Sequence, residues 1–250
     1  MALLWEKHTR STHYQVRSAG RTVRLYSNGV LHSQFNPAQM ISGAIWDLLL
    51  LPGFCPTTSP RNVLLLGLGG GTLVHLIRHF FPAAHITCVE LDAQHIAIAK
   101  RWFKIPQHNV TVVQGDAYAF LSEQTACFDW IVDDVFQHVT GDPERGVVVE
   151  DVMTLYRKAL TKEGLLSLNL IHNQPKQQAR RILQVGGYQH GVVFTHPLYE
   201  NRILACLPNT PEHQKQPCLV RMKAALNAHE LLNQTRKTCR LRYRAQWLTP

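Results

Sequence analysis

The chain has 250 residues, 45% of them hydrophobic, and a formal net charge of +9, enough for one α/β domain of ordinary size with modest appendages. No apolar run approaches the ~18 residues of a membrane span, and the segment Met-Ala-Leu-Leu-Trp-Glu-Lys-His at residues 1–8 lacks the pattern of a secretory leader. Six cysteines (Cys55, Cys88, Cys127, Cys206, Cys218, Cys239) show no C-x-x-C spacing, which argues against a disulfide scaffold and makes a cytoplasmic location the expectation.

The first elements are predicted between residues 13 and 35, where apolar and polar side chains alternate around the turn dipeptides Ala19-Gly20 and Asn28-Gly29. This is a small antiparallel sheet. Asn36-Pro37 then reads as a helix cap and first-turn proline. Met40, Ile41, Ala44, Ile45, Leu48 and Leu49 follow at helical spacing until Pro52-Gly53, so a docking helix is expected there.

From Val63 onward strand and helix patterns alternate. Strands are expected near 63–67, 85–90, 110–114, 128–133, 164–170, 189–195 and 201–207, with helical stretches between the first six. That order predicts a doubly wound sheet. The link His196-Pro-Leu-Tyr-Glu200 is too short for a crossover helix, so the last two strands must form an antiparallel hairpin on a seven-stranded, mainly parallel sheet. A reversed last strand points to the methyltransferase version of this fold over the dehydrogenase version.

Past residue 208 one helix is expected near 219–235, followed by an irregular basic end. Residues 215–250 hold eight basic residues (Lys215, Arg221, Lys223, Arg236, Lys237, Arg240, Arg242, Arg244) against Glu230. Such a tail could touch nucleic acid, but with no aromatic interleaving a solvated terminal helix is the preferred reading.

The stretch Asn62-Val-Leu-Leu-Leu-Gly67-Leu-Gly69-Gly70-Gly71-Thr72 is a buried-strand pattern that breaks into glycines and resumes as a helix. A glycine turn at a strand's carboxyl end lets a ligand approach the backbone. Gly67, Gly69 and Thr72 occupy the three positions of the dinucleotide fingerprint G-x-G-x-x-G/A, and threonine at the last one lowers a dinucleotide reading. About twenty residues later the strand Ile86–Val89 ends in Glu90, placed to accept both ribose hydroxyls, with Asp92 as a competitor for the role. Gly115-Asp116-Ala117 ends a third strand. Asp116 would hydrogen-bond an adenine amine, or cap the following helix, and the two readings are compatible.

Phe128-Asp-Trp-Ile-Val-Asp133-Asp134 ends the fourth strand in adjacent carboxylates. Neighbouring strand residues face opposite ways, and Asp134 is chosen to face the crevice and orient or deprotonate an acceptor. His75 and His79 share a helix face, as metal ligands can, but no third ligand is evident and no metal is assigned. His8, His13, His172 and His196 fit no hydrolase ordering.

These motifs together resemble the spermidine synthase family over roughly residues 12–207. The resemblance is carried by His13-Tyr14-Gln15, Tyr26-Ser-Asn-Gly29-Val-Leu-His32-Ser-Gln34, the glycine turn, Val89-Glu90-Leu91-Asp92, Gly115-Asp116-Ala117-Tyr-Ala-Phe-Leu121 and Phe128–Asp134. It implies a crevice for an adenosyl sulfonium, aminopropyl transfer to a polyamine, and commonly a dimer. Glu90 would bind ribose, Asp116 adenine, and Asp134 would be the base. Several family acids are replaced: Gly70 stands for the turn's aspartate, Pro37-Ala38 and Ile41-Ser42-Gly43 for the acids of the preceding helix, and Gln137 for the second acid after the fourth strand.

A polyamine needs such acids, so the expected reaction is methyl transfer from S-adenosylmethionine to an unidentified acceptor, with Gly67, Gly69, Gly70, Gly71, Glu90, Asp116 and Ala117 holding the donor. Aminopropyl transfer from the decarboxylated donor and a catalytically worn scaffold that binds a nucleoside or nucleic acid are the alternatives. Asp134-Val-Phe-Gln lacks the Asn/Asp-Pro-Pro-Tyr motif of adenine or glutamine-amide methylation. Three regions are expected: hairpins and docking helix at 1–51, a nucleoside-binding α/β unit at 60–208, and a basic helix and tail at 209–250.

Overall fold

The computed structural model describes residues 1–138, 143–171, 175–211, 215–231 and 241–250. The chain opens with β1 (Ala2–His8), β2 (His13–Ala19), β3 (Thr22–Ser27) and β4 (Val30–Phe35), which form one antiparallel sheet in that order. After α1 (Ile45–Leu50) come β5 (Asn62–Leu66), α2 (Thr72–Phe80), β6 (His85–Glu90), α3 (Ala93–Ile98), β7 (Val110–Gln114), α4 (Ala117–Ser122) and β8 (Phe128–Asp133). The short antiparallel pair of β9 (Gln137–His138) and β10 (Pro143–Glu144) precedes α5 (Met153–Ala159), β11 (Leu160–Leu170), α6 (Pro175–Val185), β12 (His190–Thr195), β13 (Arg202–Leu207), α7 (Lys215–Ala228) and β14 (Arg244–Leu248).

The main sheet runs β14-β12-β13-β11-β8-β5-β6-β7. The five strands from β11 to β7 are parallel, and β13 lies antiparallel between β11 and β12. All seven expected strands are present, in a class I methyltransferase order. Alternation along the central strands divides the interior in two. Val63, Leu65, Trp130 and Val132 pack with α1, α2 and α7 on one face, and Leu64, Leu66 and Ile131 pack with α4, α5 and α6 on the other. A strand covered on both faces has no polar side, so these segments read as continuous apolar runs. Among the described residues no helix is long and apolar enough to cross a membrane.

Three expectations are corrected. The docking helix begins at Ile45, with residues 36–44 forming turns. The Asp47 carboxylate folds back to accept the N–H groups of Ser42 (3.4 Å) and Gly43 (2.6 Å), and Gly43 has a positive φ of 76°, so a loop replaces the predicted first turns. Residues 2–8, for which no element was expected, pair with β2. The basic tail is no purely solvated appendage. In α7, Cys218, Met222 and Leu226 are buried in the core, and β14 adds an eighth, antiparallel strand beside β12. Arg236, Lys237 and Arg240 lie outside the described residues, as does the end of the helix predicted at 219–235.

Leu248, at the end of β14, is only 3% exposed. Leu248→Ala is therefore expected to cost about 2–3 kcal/mol in urea unfolding, the lower part of the range for buried leucine truncation; a solvated tail would give no change.

Candidate active site

One cavity of about 630 Å³ opens at the carboxyl ends of β5, β6, β8 and β11, of a size for a nucleoside-sized ligand with a second substrate. The small sheet and α1 close it from above, contributing Ser27, His32, Ile45 and Trp46. Gly67, Gly69, Glu90, Asp116, Ala117 and Asp134 all line it. Segments far apart in sequence are thus brought to one crevice.

The glycine turn is defined by where its N–H groups go. Gly67 donates to Val89 O (2.9 Å), Leu68 and Gly69 donate to Glu90 Oε2 (2.9 and 3.0 Å), Gly70 donates to Ser33 Oγ (2.7 Å), and Gly71 donates to Leu68 O (2.8 Å). Gly67, Gly69 and Gly71 have φ of 86°, 52° and 85°, which glycine adopts readily and other residues resist. Gly70 and Gly71 stand behind the turn and do not line the cavity. A Cβ on Gly70 would lie 2.7 Å from the Phe103 ring and 2.8 Å from Ser33 Cβ, and one on Gly71 would strike Ile105. At these two positions the absence of a side chain lets the turn pack.

Glu90 accepts a third backbone bond, from Asp92 N at 2.9 Å to Oε1. Burial opposes its charge, but His95 and the N–H groups of Asp92 and Gly69 outweigh it and bring its pKa down to about 2. His95 Nδ1 lies 3.9 Å from Glu90 Oε2, while its Nε2 hydrogen-bonds Ser27 Oγ at 2.9 Å. Asp92, the competitor for the ribose role, is engaged elsewhere: it accepts Gln94 N (2.7 Å) as the cap of α3, and Tyr14 donates to it at 2.6 Å. Thr72, which breaks the dinucleotide fingerprint, donates its hydroxyl to Gln34 O at 3.0 Å. The small sheet is therefore fastened to the turn, to Glu90's neighbours and to α2.

Asp116 caps α4, its Oδ1 accepting from Tyr118 N (2.9 Å) and Ala119 N (2.8 Å). This leaves Oδ2 outside the cap. Asp133 and Asp134 separate at the end of β8. Asp133 is fully buried and accepts from Arg145 Nη1 (3.0 Å), Tyr118 OH (3.1 Å), Val135 N (3.0 Å) and, through a short bond, Tyr156 OH. Asp134 faces the cavity with one side-chain partner among the described residues, Asn169 Nδ2 at 2.7 Å to Oδ1, and Asn201 in turn donates to Asn169 Oδ1 at 3.0 Å. Burial raises its pKa to about 7, against the pull of Asn169 and Arg145. That suits a group that must accept a proton near neutrality.

His75 is accounted for by packing. It stacks on Phe35 with ring centroids 3.8 Å apart and donates Nε2–H to Phe103 O at 2.9 Å, and burial lowers its pKa. His79 meets Phe80 edge-on, His196 accepts Leu198 N at 3.1 Å, and His172 lies outside the described residues. Sequence reasoning missed Ser33, His95, Asn169, Asn201 and Arg145. The only signal for any of them was Asn169, a polar residue at the end of an apolar strand.

Residues 63–159 match the family model described as a methyltransferase domain. The eEF1A lysine and N-terminal methyltransferase of Xenopus laevis is 29% identical over 185 residues, 68% of this chain and 26% of that protein. A polyamine aminopropyltransferase of Vibrio vulnificus is 30% identical over 127 residues, 48% of this chain and 41% of that protein. This chain thus spans less than half the length of either relative. Among solved structures, a probable spermidine synthase from Corynebacterium glutamicum matches with a TM-score of 0.72 at 20% identity, over 100% of this chain and 91% of that one. Human methyltransferase-like protein 13, in complex with SAH, matches with a TM-score of 0.58 at 25% identity, over 74% and 88%. The fold is a class I methyltransferase fold. That fold is similar to the one of the probable spermidine synthase, in keeping with the resemblance of the motifs.

Glu90 is held at about 2 in the folded chain against an ordinary 4.5. A lowered carboxylate contributes stability that is present above the unfolded value and is lost as pH falls through the folded one. Glu90→Gln should therefore cost roughly 3 kcal/mol at pH 7, and the gap to wild type in urea unfolding should close between about pH 4.5 and 2. A gap independent of pH would contradict the assignment.

Proposed function

We propose that this chain binds S-adenosylmethionine and catalyses methyl transfer, with Asp134 as the base. The observation that carries the reading is the glycine turn, whose five N–H groups all bond within the protein beside Glu90. Phosphate cradles need such N–H groups pointing at the ligand. A sulfonium nucleoside has no phosphate and needs only open backbone, a ribose acceptor and an adenine partner. Glu90 Oε1 and Asp116 Oδ2 fill those two roles, with Gly67, Gly69 and Ala117 giving close approach. The bound donor supplies an electrophilic methyl group. Asp134 takes the acceptor's proton, and Asn169, held by Asn201, fixes which carboxylate oxygen stays available.

The acceptor carries little positive charge. Of the cavity's acids among the described residues, Glu90, Asp92 and Asp116 belong to the nucleoside end and Asp134 alone to the other. Asn169, Asn201 and Tyr199 beside it are neutral polar groups. A polyamine would bring several cations to one carboxylate, and unpaired buried charge is expensive. The sequence similarity to the Vibrio vulnificus enzyme keeps aminopropyl transfer as the second reading.

Calorimetry of the full chain with S-adenosylmethionine, its decarboxylated form and methylthioadenosine tests the donor. Binding of S-adenosylmethionine is expected, weakened about a hundredfold or more in Glu90→Ala by loss of two charged hydrogen bonds; no nucleoside binding would overturn the reading.

Asp134 makes a prediction of opposite sign to Glu90. Its folded pKa is raised, so the unfolded chain releases this proton first and stability is lost as pH rises from the usual carboxylate range to about 7. Asp134→Asn should raise the thermal midpoint more at pH 8 than at pH 5, and should abolish the limb of methyl transfer that rises through about pH 7. Equal shifts at both pH values would remove Asp134 as a poised base.

A further inference from the structure

Outside the cavity, the β1–β2 ribbon carries a second set of coordinating side chains. Glu6 and His8 lie two residues apart on β1 and so share a face, and His8 stands directly across from His13 on β2. His13 Nε2 is 3.1 Å from Glu6 Oε2, and the His8 and His13 rings stack with centroids 3.8 Å apart. One ligand atom from each of the three lies within 4.8 Å of the other two. A tetrahedral zinc ion with bonds of ~2.0–2.1 Å holds its ligands roughly 3.4 Å apart. Glu6 and His8 are exposed and His13 is half-buried, and side-chain rotations that unstack the two rings would bring the three ligand atoms to that spacing.

We propose that Glu6, His8 and His13 form a binding site for a divalent transition-metal ion, with water completing the coordination. Two imidazole nitrogens and one carboxylate select zinc, nickel or copper over magnesium or calcium, which prefer all-oxygen shells. The backbone under the ligands is already fixed. Thr9 N and Oγ1 donate to Thr12 O at 2.9 and 3.0 Å, and Thr12 N donates to Thr9 Oγ1 at 3.0 Å. From β3's end, Asn28 accepts from His13 N (2.8 Å) and donates from Nδ2 to Ser11 O (3.2 Å). Lys7 is turned to the opposite face, where its Nζ donates to Gln94 at 2.9 Å, so its charge does not oppose the cation.

The site has a structural consequence for the cavity. Ser11 and Thr12, at the tip of the same ribbon, line it. A cation joining His8 on β1 to His13 on β2 clamps this lip in place. Binding of the ion itself does not depend on which donor the cavity takes.

The test is calorimetric titration of the chelator-treated full chain with zinc chloride and with nickel chloride. One ion per chain in the micromolar range is expected, weakened about tenfold or more in His8→Ala and in His13→Ala. Thermal unfolding in chelator checks that each variant folds, and His8→Gln and His13→Gln, which keep side-chain bulk, replace any that does not. Cobalt titration should give visible absorption bands that both His8 and His13 variants lose. No binding tighter than millimolar, or the same affinity and stoichiometry in the histidine variants as in wild type, overturns the proposal.

Discussion

The Glu90 carboxylate is the constraint on which the rest of the site depends. It stands at the end of β6 and accepts the N–H groups of Leu68 and Gly69 on one oxygen and that of Asp92 on the other. Left without that acceptor, each buried donor would cost ~1–3 kcal/mol, so the path of the glycine turn is set from the neighbouring strand. The same carboxylate reaches outward through His95 to Ser27 on the small sheet, and Tyr14 repeats the connection through Asp92. One residue therefore fixes the turn, helps seat the lid and presents its remaining acceptor capacity to the cavity.

A second division of labour follows from two adjacent carboxylates. Asp133 is enclosed by Arg145, Tyr118 and Tyr156, and Arg145 also donates to Asn169 O at 2.6 Å. Burial works against the Arg145 charge, but Asp133 outweighs it and raises its pKa further. With the Arg145 guanidinium committed to Asp133, Asp134 has the Asn169 amide as its side-chain partner among the described residues, and burial raises it to about 7. Two neighbouring acids acquire different chemistry from environment alone, which is how acid and base roles are usually separated in one site. The Arg145 pair also holds the end of β8 against β11, fixing the direction in which Asp134 points.

Most of the sheet was legible because buried parallel strands must be apolar throughout, and Val63–Leu66 and Trp130–Val132 are. Edge strands carry no such mark. β1 is largely exposed and β14 is five residues of mixed character, Arg-Ala-Gln-Trp-Leu, so neither announces itself. The start of α1 was misplaced because a tertiary-like contact, Asp47 onto the N–H groups of Ser42 and Gly43, overrides a helical spacing of apolar residues. Within the site, the residues at strand ends could be read from the topology rule for open α/β sheets. Their partners could not: Ser33 to Gly70, Tyr14 to Asp92 and Asn169 to Asp134 join positions 35 to 78 residues apart, and no local pattern encodes such pairs.

Gly70 shows why the departures from the polyamine-making pattern are more than lost acids. Seen in sequence, it is an aspartate position emptied of charge. In the fold it is filled: its N–H bonds Ser33, and the space a side chain would take belongs to Phe103 and Ser33. A side chain restored there would have to displace the Phe103 ring and Ser33. The segment before α1 is reorganised in the same manner. The acids expected from the resemblance are replaced by Pro37-Ala38 and Ile41-Ser42-Gly43, and the nearest acid on α1, Asp47, is buried, bonded to that loop's backbone and raised by burial to about 6. Random decay of an acceptor site leaves cavities and unpaired groups at the lost positions. Here Gly70 and Ile41 are packed and Gly43 is hydrogen-bonded to Asp47, while Glu90, Asp116 and Asp134 line the crevice.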